Sequence, residues 1–220
     1  MAKEEINRTT APDITRMAID NFSQVACLYR DKFANVSAYH RGLDIFCSEI
    51  PTCGQLLELA CGPGNMTRYM LDNRPDLNIY STDLSQEMLD IAREANPEPS
   101  FGLLDIRDIK ALDKQFDGIL CAFGLPYISK EDSIQLIADA AQHLNESGML
   151  YISAMEDDYG KSGIETSSTG RTVYVYYHQH DYLHDALLAN GFIIIDTERR
   201  DSESGGKKVV ELIFIASKSS

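Results

Sequence analysis

The chain has 220 residues, enough for one large domain, and 44% of them are hydrophobic, so a sizeable core can form and wholesale disorder is excluded. Its 34 Asp and Glu outnumber its 20 Lys and Arg. The resulting net charge of −14 disfavours nucleic acid and anionic lipid as partners, because both are bound through clusters of basic residues.

The first residues and the cysteines indicate a protein that is not exported. Residues 1–10 lack the basic-then-apolar pattern of a secretory signal, and no apolar run approaches the roughly 18 residues that cross a bilayer. The five cysteines are scattered, with no pair at the short spacing of metal or redox motifs. We therefore expect a soluble cytoplasmic protein with reduced thiols and no metal site.

The first half of the chain predicts two helices and then an alternation of strands and helices. Apolar residues recur at helical spacing over Ile14–Phe33, and a second helix is expected over Ala38–Ile50. The short apolar runs that follow are typical of a parallel sheet covered by helices. The expected strands are Gln55–Ala60, Asn78–Thr82, Ser100–Leu104, Phe116–Ala122 and Gly148–Ala154, with Asp132–Leu144 as the clearest helix between them.

The last third of the chain begins with a segment that breaks this alternation. Residues 156–171 are rich in Asp, Gly, Ser and Thr, which predicts a flexible loop that could act as a lid. Thr172–His178 is strongly β-prone, and Asp181–Ala189 is expected to be helical. Two strands around Ser202–Gly206 are predicted to close the chain as a hairpin.

A strand, a glycine-rich turn and a helix start are predicted within LLELACGPGNMT, residues 56–67. In open α/β sheets the ligand crevice lies beyond the carboxyl ends of the strands, and glycines there let the backbone approach a ligand. The alternative is that Gly62 and Gly64 serve only the backbone angles of the turn.

Besides Glu58, which lies in the first predicted strand, two acidic residues follow the next two strands. Asp83 comes 19 residues after Gly64, where nucleotide-binding sheets place an acid that binds ribose, and Asp105 ends the third strand. Three consecutive strands thus each bring an acid to one edge of the sheet. The alternatives are an N-cap role for Asp83 and a turn-starting role for Asp105.

The residue types around the turn favour one kind of ligand. A pyrophosphate cofactor would prefer glycine or alanine where Thr67 stands, and Glu58 lies just upstream. A ligand with a ribose, an adenine and a cationic end fits better, because Glu58 can accept from an ammonium and Asp83 from sugar hydroxyls. S-adenosylmethionine is such a ligand.

At this point the chain resembles the class I S-adenosylmethionine-dependent methyltransferases, from about Phe22 to the end. The segments that carry the resemblance are Leu57–Gly64 for the first motif, Asp83–Ser85 with Met88–Leu89 for the second, Leu104–Ile106 for the adenine position and Phe116–Ala122 for the strand below the methyl group. The resemblance implies an α/β fold, a Rossmann-like three-layer sandwich whose seven-stranded, mostly parallel sheet has an antiparallel last strand. It also implies a helical lid at residues 1–50 and a methyltransferase domain at 51–220.

The resemblance also implies roles for individual residues. Those that would bind the cofactor are Glu58, Ala60, Gly62 and Gly64 at the methionine end, Asp83 at the ribose, Leu84 and Met88 beside the base, Asp105 and the Ile106 amide at the adenine, a carbonyl of Cys121 or Ala122 near the amino group, and Tyr29 in the lid.

The sequence identifies no general base for methyl transfer. Tyr177, His178 and His180 lie near the predicted lid and are candidates, although ordinary surface positions are the alternative for the histidines. Tyr174, Tyr176 and Tyr177 could form an aromatic wall that attracts a cationic amine, or simply a strand with good β-propensity.

The leading hypothesis is methyl transfer to a small molecule, because the chain carries its extra elements as a lid and has no further domain for a macromolecular substrate. The alternative is a catalytically silent S-adenosylmethionine-binding module, which fits the same motifs. An NAD-dependent oxidoreductase is disfavoured by Thr67 and by the lack of a Tyr/Lys pair. A homodimer is compatible with the sequence, which identifies neither the acceptor nor the oligomeric state.

Overall fold

A computed structural model describes residues 14–32, 34–166, 172–204 and 207–219. Its helices are α1 (Ile14–Lys32), α2 (His40–Ser48), α3 (Asn65–Asn73), α4 (Gln86–Ala95), α5 (Lys130–His143) and α6 (His180–Ala189). Its strands are β1 (Gln55–Leu59), β2 (Asn78–Asp83), β3 (Ser100–Leu103), β4 (Phe116–Cys121), β5 (Leu144–Glu156), β6 (Gly163–Thr166), β7 (Thr172–Val175), β8 (Phe192–Ser204) and β9 (Lys207–Lys218). Short 3-10 helices lie at Ser37–Tyr39, Ile106–Ala111, Leu125–Tyr127 and Tyr159–Lys161.

Seven of these strands form one twisted sheet in the order β3-β2-β1-β4-β5-β9-β8. Strands β1 to β5 are mutually parallel, and β9 is antiparallel to both of its neighbours. The predicted seven-stranded sheet with an antiparallel last strand is confirmed. The strand order reverses between β1 and β4, and ligands of open α/β sheets bind in the crevice at such a reversal.

The sheet is covered on both faces, which explains why its strands are apolar at consecutive positions. Neighbouring residues of a strand point to opposite faces, so Leu57 packs with α5 and α6 while Leu56 packs with α2 and α3. Leu43 and Phe46 of α2 are fully buried in the second of these cores. Helix α2 is therefore part of the domain core. The predicted boundary at residue 50 stays a prediction, and this packing favours placing it before α2.

Helix α1 is the element that extends over the carboxyl edge of the sheet. The Ser23 Oγ atom lies 2.9 Å from the Oγ of Ser85, the residue that caps α4, and Asn21 donates a hydrogen bond to the Thr172 carbonyl of β7. The Phe22 ring meets the Tyr127 ring edge-on, with centroids 5.0 Å apart. These contacts hold α1 between α4 and β7.

The segment predicted as a flexible loop, residues 156–171, contains regular structure. A 3-10 turn at Tyr159–Lys161 leads into β6, which pairs antiparallel with β7 in a separate two-stranded sheet; residues 167–171 lie outside the described part of the chain. The expectation of a loop is therefore wrong for Gly163–Thr166, which form a strand, and the flexibility of the segment stays a prediction. The polar composition of this segment predicts a loop, because β6 and β7 pair outside the main sheet and keep one side exposed, where polar residues are expected.

The cysteine thiols are free, as their scattered spacing predicts. Burial raises the pKa of Cys47 and of Cys121 to about 12, which keeps both thiols protonated at neutral pH. Within the described residues, no helix combines the length and the apolar character needed to span a membrane.

Candidate active site

The turn between β1 and α3 places two glycines in different surroundings. Gly62 has φ +54° and Gly64, the residue preceding α3, has φ +81°, a left-handed region that favours glycine. A Cβ atom at Gly62 would meet no atom within 4 Å, whereas one at Gly64 would lie 2.5 Å from Nδ2 of Asn96. Gly62 therefore faces open space, and Gly64 is needed for close packing against the end of α4.

Asp83, at the end of β2, is tied directly to this turn. Its Oδ2 accepts a hydrogen bond of 2.9 Å from the Gly62 amide, and its Oδ1 accepts one of 2.9 Å from the Ser85 amide. Burial raises the pKa of the Asp83 carboxyl, while these amides oppose that shift. The structure thus brings together the two sequence-predicted features, the glycine turn and the second acid. The Leu84 amide also bonds to this carboxylate, which has about four acceptor positions, so capacity for a further donor remains.

Glu58 lies beneath the turn and does not line an open space. Its side chain is 1% exposed, and its Oε2 accepts hydrogen bonds from Thr67 Oγ1 at 2.5 Å and from Ser81 Oγ at 2.7 Å. Burial raises its pKa to about 7, against the lowering effect of both hydroxyls. The structure therefore gives Glu58 a positioning role, joining β1, β2 and α3, instead of the direct contact with an ammonium that the sequence predicts.

Asp105 follows β3 at the same edge of the sheet, and it carries a partner that the sequence analysis missed. Arg107 donates to its carboxylate through Nε, at 2.9 Å from Oδ1, and through a second guanidinium nitrogen. Burial alone would raise the pKa of Asp105, but the side-chain and backbone bonds from Arg107 outweigh it and the net pKa is lowered. The sequence signal that could have revealed this ion pair is the spacing of Asp105 and Arg107, two residues apart. The side chain of Ile106 is buried beside this pair.

The end of β4 completes the edge. Cys121 and Ala122 are buried, and a Cβ at Gly124 would lie 2.5 Å from Cys121 Sγ and 3.4 Å from the Cβ of Ala60. The loop after β4 therefore passes close to the turn after β1, as expected for one shared crevice. Phe123 has φ +63°, and its amide donates to Ser153 Oγ at 2.8 Å, which anchors this loop to β5.

Two hydrophobic residues predicted beside the base lie on the loop and helix after β2. Met88 of α4 is 2% exposed, and its amide donates to the Ser85 side chain at 3.2 Å. Leu84 is only partly buried and so can contact a ligand. The side chain of Tyr29 lies outside the described part of the structure.

His178 was a candidate base, but the structure buries it completely. Its Nε2 lies 2.8 Å from the Leu125 carbonyl oxygen, and its Nδ1 is hydrogen-bonded to the Tyr182 hydroxyl. The carbonyl requires a proton on Nε2, so Nδ1 accepts from Tyr182. Burial lowers the pKa of His178 to about 4. The neutral ring connects the chain after β7 to the loop after β4. Because both of its nitrogens are hydrogen-bonded and buried, it cannot act as a base for a methyl acceptor.

The other two candidate bases also have structural partners. The Tyr177 hydroxyl donates to Glu165 Oε1 at 2.8 Å, and burial followed by this bond raises its pKa to about 12. The His180 ring stacks on His184 and lies 5.3 Å from the Phe214 ring, over the α6 side of the sheet. Neither residue is directed toward the turn after β1. Among the residues that the structure describes, we assign no general base in place of these candidates.

The topology and this edge together define the class of the molecule. A sheet of this order, with a glycine turn after β1 and acids after β2 and β3, is the architecture expected for S-adenosylmethionine-dependent methyltransferases. Residues 56–148 match the family model described as a methyltransferase domain. The resemblance drawn from the sequence is confirmed.

Comparison with individual proteins gives relatives and structural neighbours. The trans-aconitate 2-methyltransferase of Variovorax paradoxus is 33% identical over 103 residues, which cover 47% of this chain and 39% of that protein. A 1,6-didemethyltoxoflavin-N1-methyltransferase of Burkholderia thailandensis, solved with its substrate and S-adenosylhomocysteine, has a TM-score of 0.68 at 21% identity, covering 96% of this chain and 92% of that one. A [4+2]-cyclase has a TM-score of 0.72 at 16% identity, covering 96% and 97%. The chain spans about two fifths of the curated relative, and the structural likenesses concern the fold alone.

Proposed function

We propose that this protein binds S-adenosylmethionine and transfers its methyl group to a small-molecule acceptor. The observation that carries the proposal is the open space at Gly62, whose amide is held by Asp83 at the carboxyl edge of the sheet. The residues present fit the cofactor, because the backbone at Gly62 leaves room for its methionine end. The remaining acceptor capacity of Asp83 suits a hydroxyl of its ribose.

The other contacts follow from the places of the side chains along the edge. Asp105 and the Ile106 amide would hold the adenine, with Leu84 and Met88 beside it, while Asp105 keeps its pairing with Arg107. Ala60 and a carbonyl of Cys121 or Ala122 would lie near the amino group. Glu58 would act indirectly, by fixing Thr67 in the first turn of α3.

When bound, S-adenosylmethionine supplies a sulfonium-activated methyl group. The work of the chain is then to hold an acceptor in line with that group and to exclude water, and such positioning can lower a barrier by roughly 7 to 11 kcal/mol. Helix α1 and the β6–β7 hairpin would cover the crevice, and the loop after β4 would form its floor. Because no base is assigned, we expect acceptors whose nucleophile needs no early deprotonation, or whose proton leaves to solvent.

Two measurements test the proposal. Isothermal titration with S-adenosylhomocysteine should show binding to one site per chain, and a screen with tritiated-methyl S-adenosylmethionine over amines, phenols and carboxylates should show transfer. Absence of binding would overturn the proposal as a whole. Binding without transfer to any acceptor would instead support the alternative, a silent S-adenosylmethionine-binding module. A cytoplasmic location, a homodimer, and the exclusion of nucleic acid and membrane as partners remain predictions from the sequence.

A further inference from the structure

Three tyrosines of the hairpin region form one aromatic surface, which we call the tyrosine face and define as Tyr159, Tyr174 and Tyr176. The Tyr159 and Tyr176 rings are nearly parallel, at 19°, with centroids 6.2 Å apart. The Tyr174 and Tyr176 rings are tilted by 52° at 4.7 Å. All three side chains are only partly buried. Tyr177 points the other way, toward Glu165, so the alternation of an extended chain separates it from this face.

The tyrosine face lies beside the end of β4. The Tyr176 amide donates a 2.8 Å hydrogen bond to the carbonyl of Pro126, five residues after the last residue of β4. Tyr127, the next residue, contacts Phe22 of the lid helix. The face thus occupies the space between the loop after β4 and α1, where the proposed function needs the methyl acceptor to enter.

The charges around the face do not suit a polyanionic ligand. Among the described residues, Asp132 and Arg107 are charged groups near Tyr176, and Arg107 is already paired with Asp105. The Lys130 ammonium lies 4.5 Å from the centroid of the Tyr182 ring. A polycarboxylate would need unengaged cations here, and the net charge of −14 would repel it.

From this geometry we infer that the methyl acceptor is a planar aromatic compound that stacks on the tyrosine face. The inference rests on the proposed function and adds the substrate class. The three rings are close together and partly exposed, so they offer aromatic area to a flat ligand, and aromatic rings gain from offset stacking beyond the area they bury. The substrate of the trans-aconitate methyltransferase relative, a tricarboxylate, is thereby excluded as the model for this protein's acceptor.

The test compares a flat aromatic alcohol with a puckered saturated one of the same carbon skeleton, 2-naphthol and cis-2-decalol, on protein saturated with S-adenosylhomocysteine. Both have ten ring carbons and one hydroxyl. Calorimetry should show 2-naphthol binding about tenfold more tightly, the upper range for aromatic pairing. Trans-aconitate should bind no more tightly than the decalol. Equal affinities for the two ring alcohols, or preferential binding of trans-aconitate, would overturn the inference.

Substitutions test whether the preference for 2-naphthol over cis-2-decalol comes from the tyrosine face. Tyr176→Leu should remove most of it, and Tyr176→Phe should retain it, since the ring and not the hydroxyl is required. Tyr69→Leu is the matched control, because Tyr69 lies on α3, stacked on His40 and bonded to Asp44. If Tyr176→Leu still prefers 2-naphthol over cis-2-decalol, the acceptor binds elsewhere and the inference is overturned. If S-adenosylhomocysteine itself fails to bind the unmodified protein, the proposed function falls and this inference with it.

Discussion

Asp83 is at once an internal anchor and the proposed ribose ligand. Replacing it with alanine removes the acceptor of the Gly62 amide and the charged partner of the sugar hydroxyls. We expect Asp83→Ala to weaken S-adenosylhomocysteine binding by about 1 to 3 kcal/mol, which is roughly 5- to 150-fold in affinity. Isothermal titration measures this directly.

The isosteric Asp83→Asn variant is the control for the anchor. Its amide oxygen can still accept from one backbone amide, so it should lose less affinity than alanine does. Circular dichroism should show that both variants remain folded. An affinity unchanged in Asp83→Ala would refute the ribose assignment.

Glu58 is a buried carboxyl whose pKa is raised by burial from 4.5 to about 7. A raised pKa in the folded state favours the protonated form, so the contribution of Glu58 to stability is full below about pH 4.5 and declines as the pH rises to 7. The shift corresponds to about 3 kcal/mol at most. Glu58→Gln cannot ionise, and its free energy of unfolding should therefore fall less over this range.

Urea denaturation of Glu58→Gln and of the unmodified protein at pH 5, 6, 7 and 8 measures the effect. Their difference in unfolding free energy should change with pH, in favour of the variant at high pH. Asp90→Asn is the control, since the Asp90 side chain is 65% exposed. A pH-independent difference for Glu58→Gln would mean that Glu58 does not titrate in this range.

At the residue scale, the sequence predicts what depends on local signals. Gly62 and Asp83 follow strands at the positions where a ligand crevice is expected, and the structure joins them. The burial of His178 could not be predicted, because it arises from a contact with Leu125, 53 positions earlier in the chain. The same holds for Asn96, which packs against Gly64 from the far end of α4.

The two glycines of the turn after β1 allow effects on cofactor binding to be distinguished from effects on folding stability. Alanine at Gly62 places its Cβ in open space, so the cost to the fold is the positive φ, about 1 kcal/mol. Alanine at Gly64 adds to that cost a clash with Asn96 and Ala92. We expect Gly62→Ala to impair S-adenosylhomocysteine binding more than stability, and Gly64→Ala to impair stability more.

Urea denaturation and isothermal titration are both carried out on Gly62→Ala and Gly64→Ala, so that each variant serves as the control for the other. The expected pattern is a crossed one, with the larger loss of affinity in Gly62→Ala and the larger loss of unfolding free energy in Gly64→Ala. Parallel losses in both measurements would show that the turn is only structural, which is the alternative that the sequence leaves open.

The elements themselves differ in how well the sequence predicts them. Strands β1 to β4 match the predicted spans within one residue. The buried strands β1 and β4 are short continuous apolar runs with clear ends. Strand β5 begins at Leu144, earlier than predicted, since a bulged pairing with Phe116 extends it through the polar residues 145–147. Strand β6 is polar and depends on β7 for its pairing, so composition indicates a loop.

At the scale of the whole molecule, α1 connects the two sides of the proposed crevice. It bonds to Ser85, next to Asp83, through Ser23, and it bonds to β7 through Asn21. A ligand that fixes Asp83 and the loop after it should therefore also steady α1 and, through α1, the β6–β7 hairpin. At one hundred times its dissociation constant, a bound ligand adds about 2.7 kcal/mol to the stability of what it holds.

Hydrogen exchange with mass spectrometry can follow this coupling. We expect saturating S-adenosylhomocysteine to slow exchange in α1, β6 and β7 together, in addition to the turn after β1. In Ser23→Ala the link to Ser85 is lost, so protection of both covering segments should decrease while the turn after β1 stays protected. Protection confined to that turn in the unmodified protein would show that α1 and the hairpin do not close over the cofactor, and water would then have to be excluded by the acceptor itself.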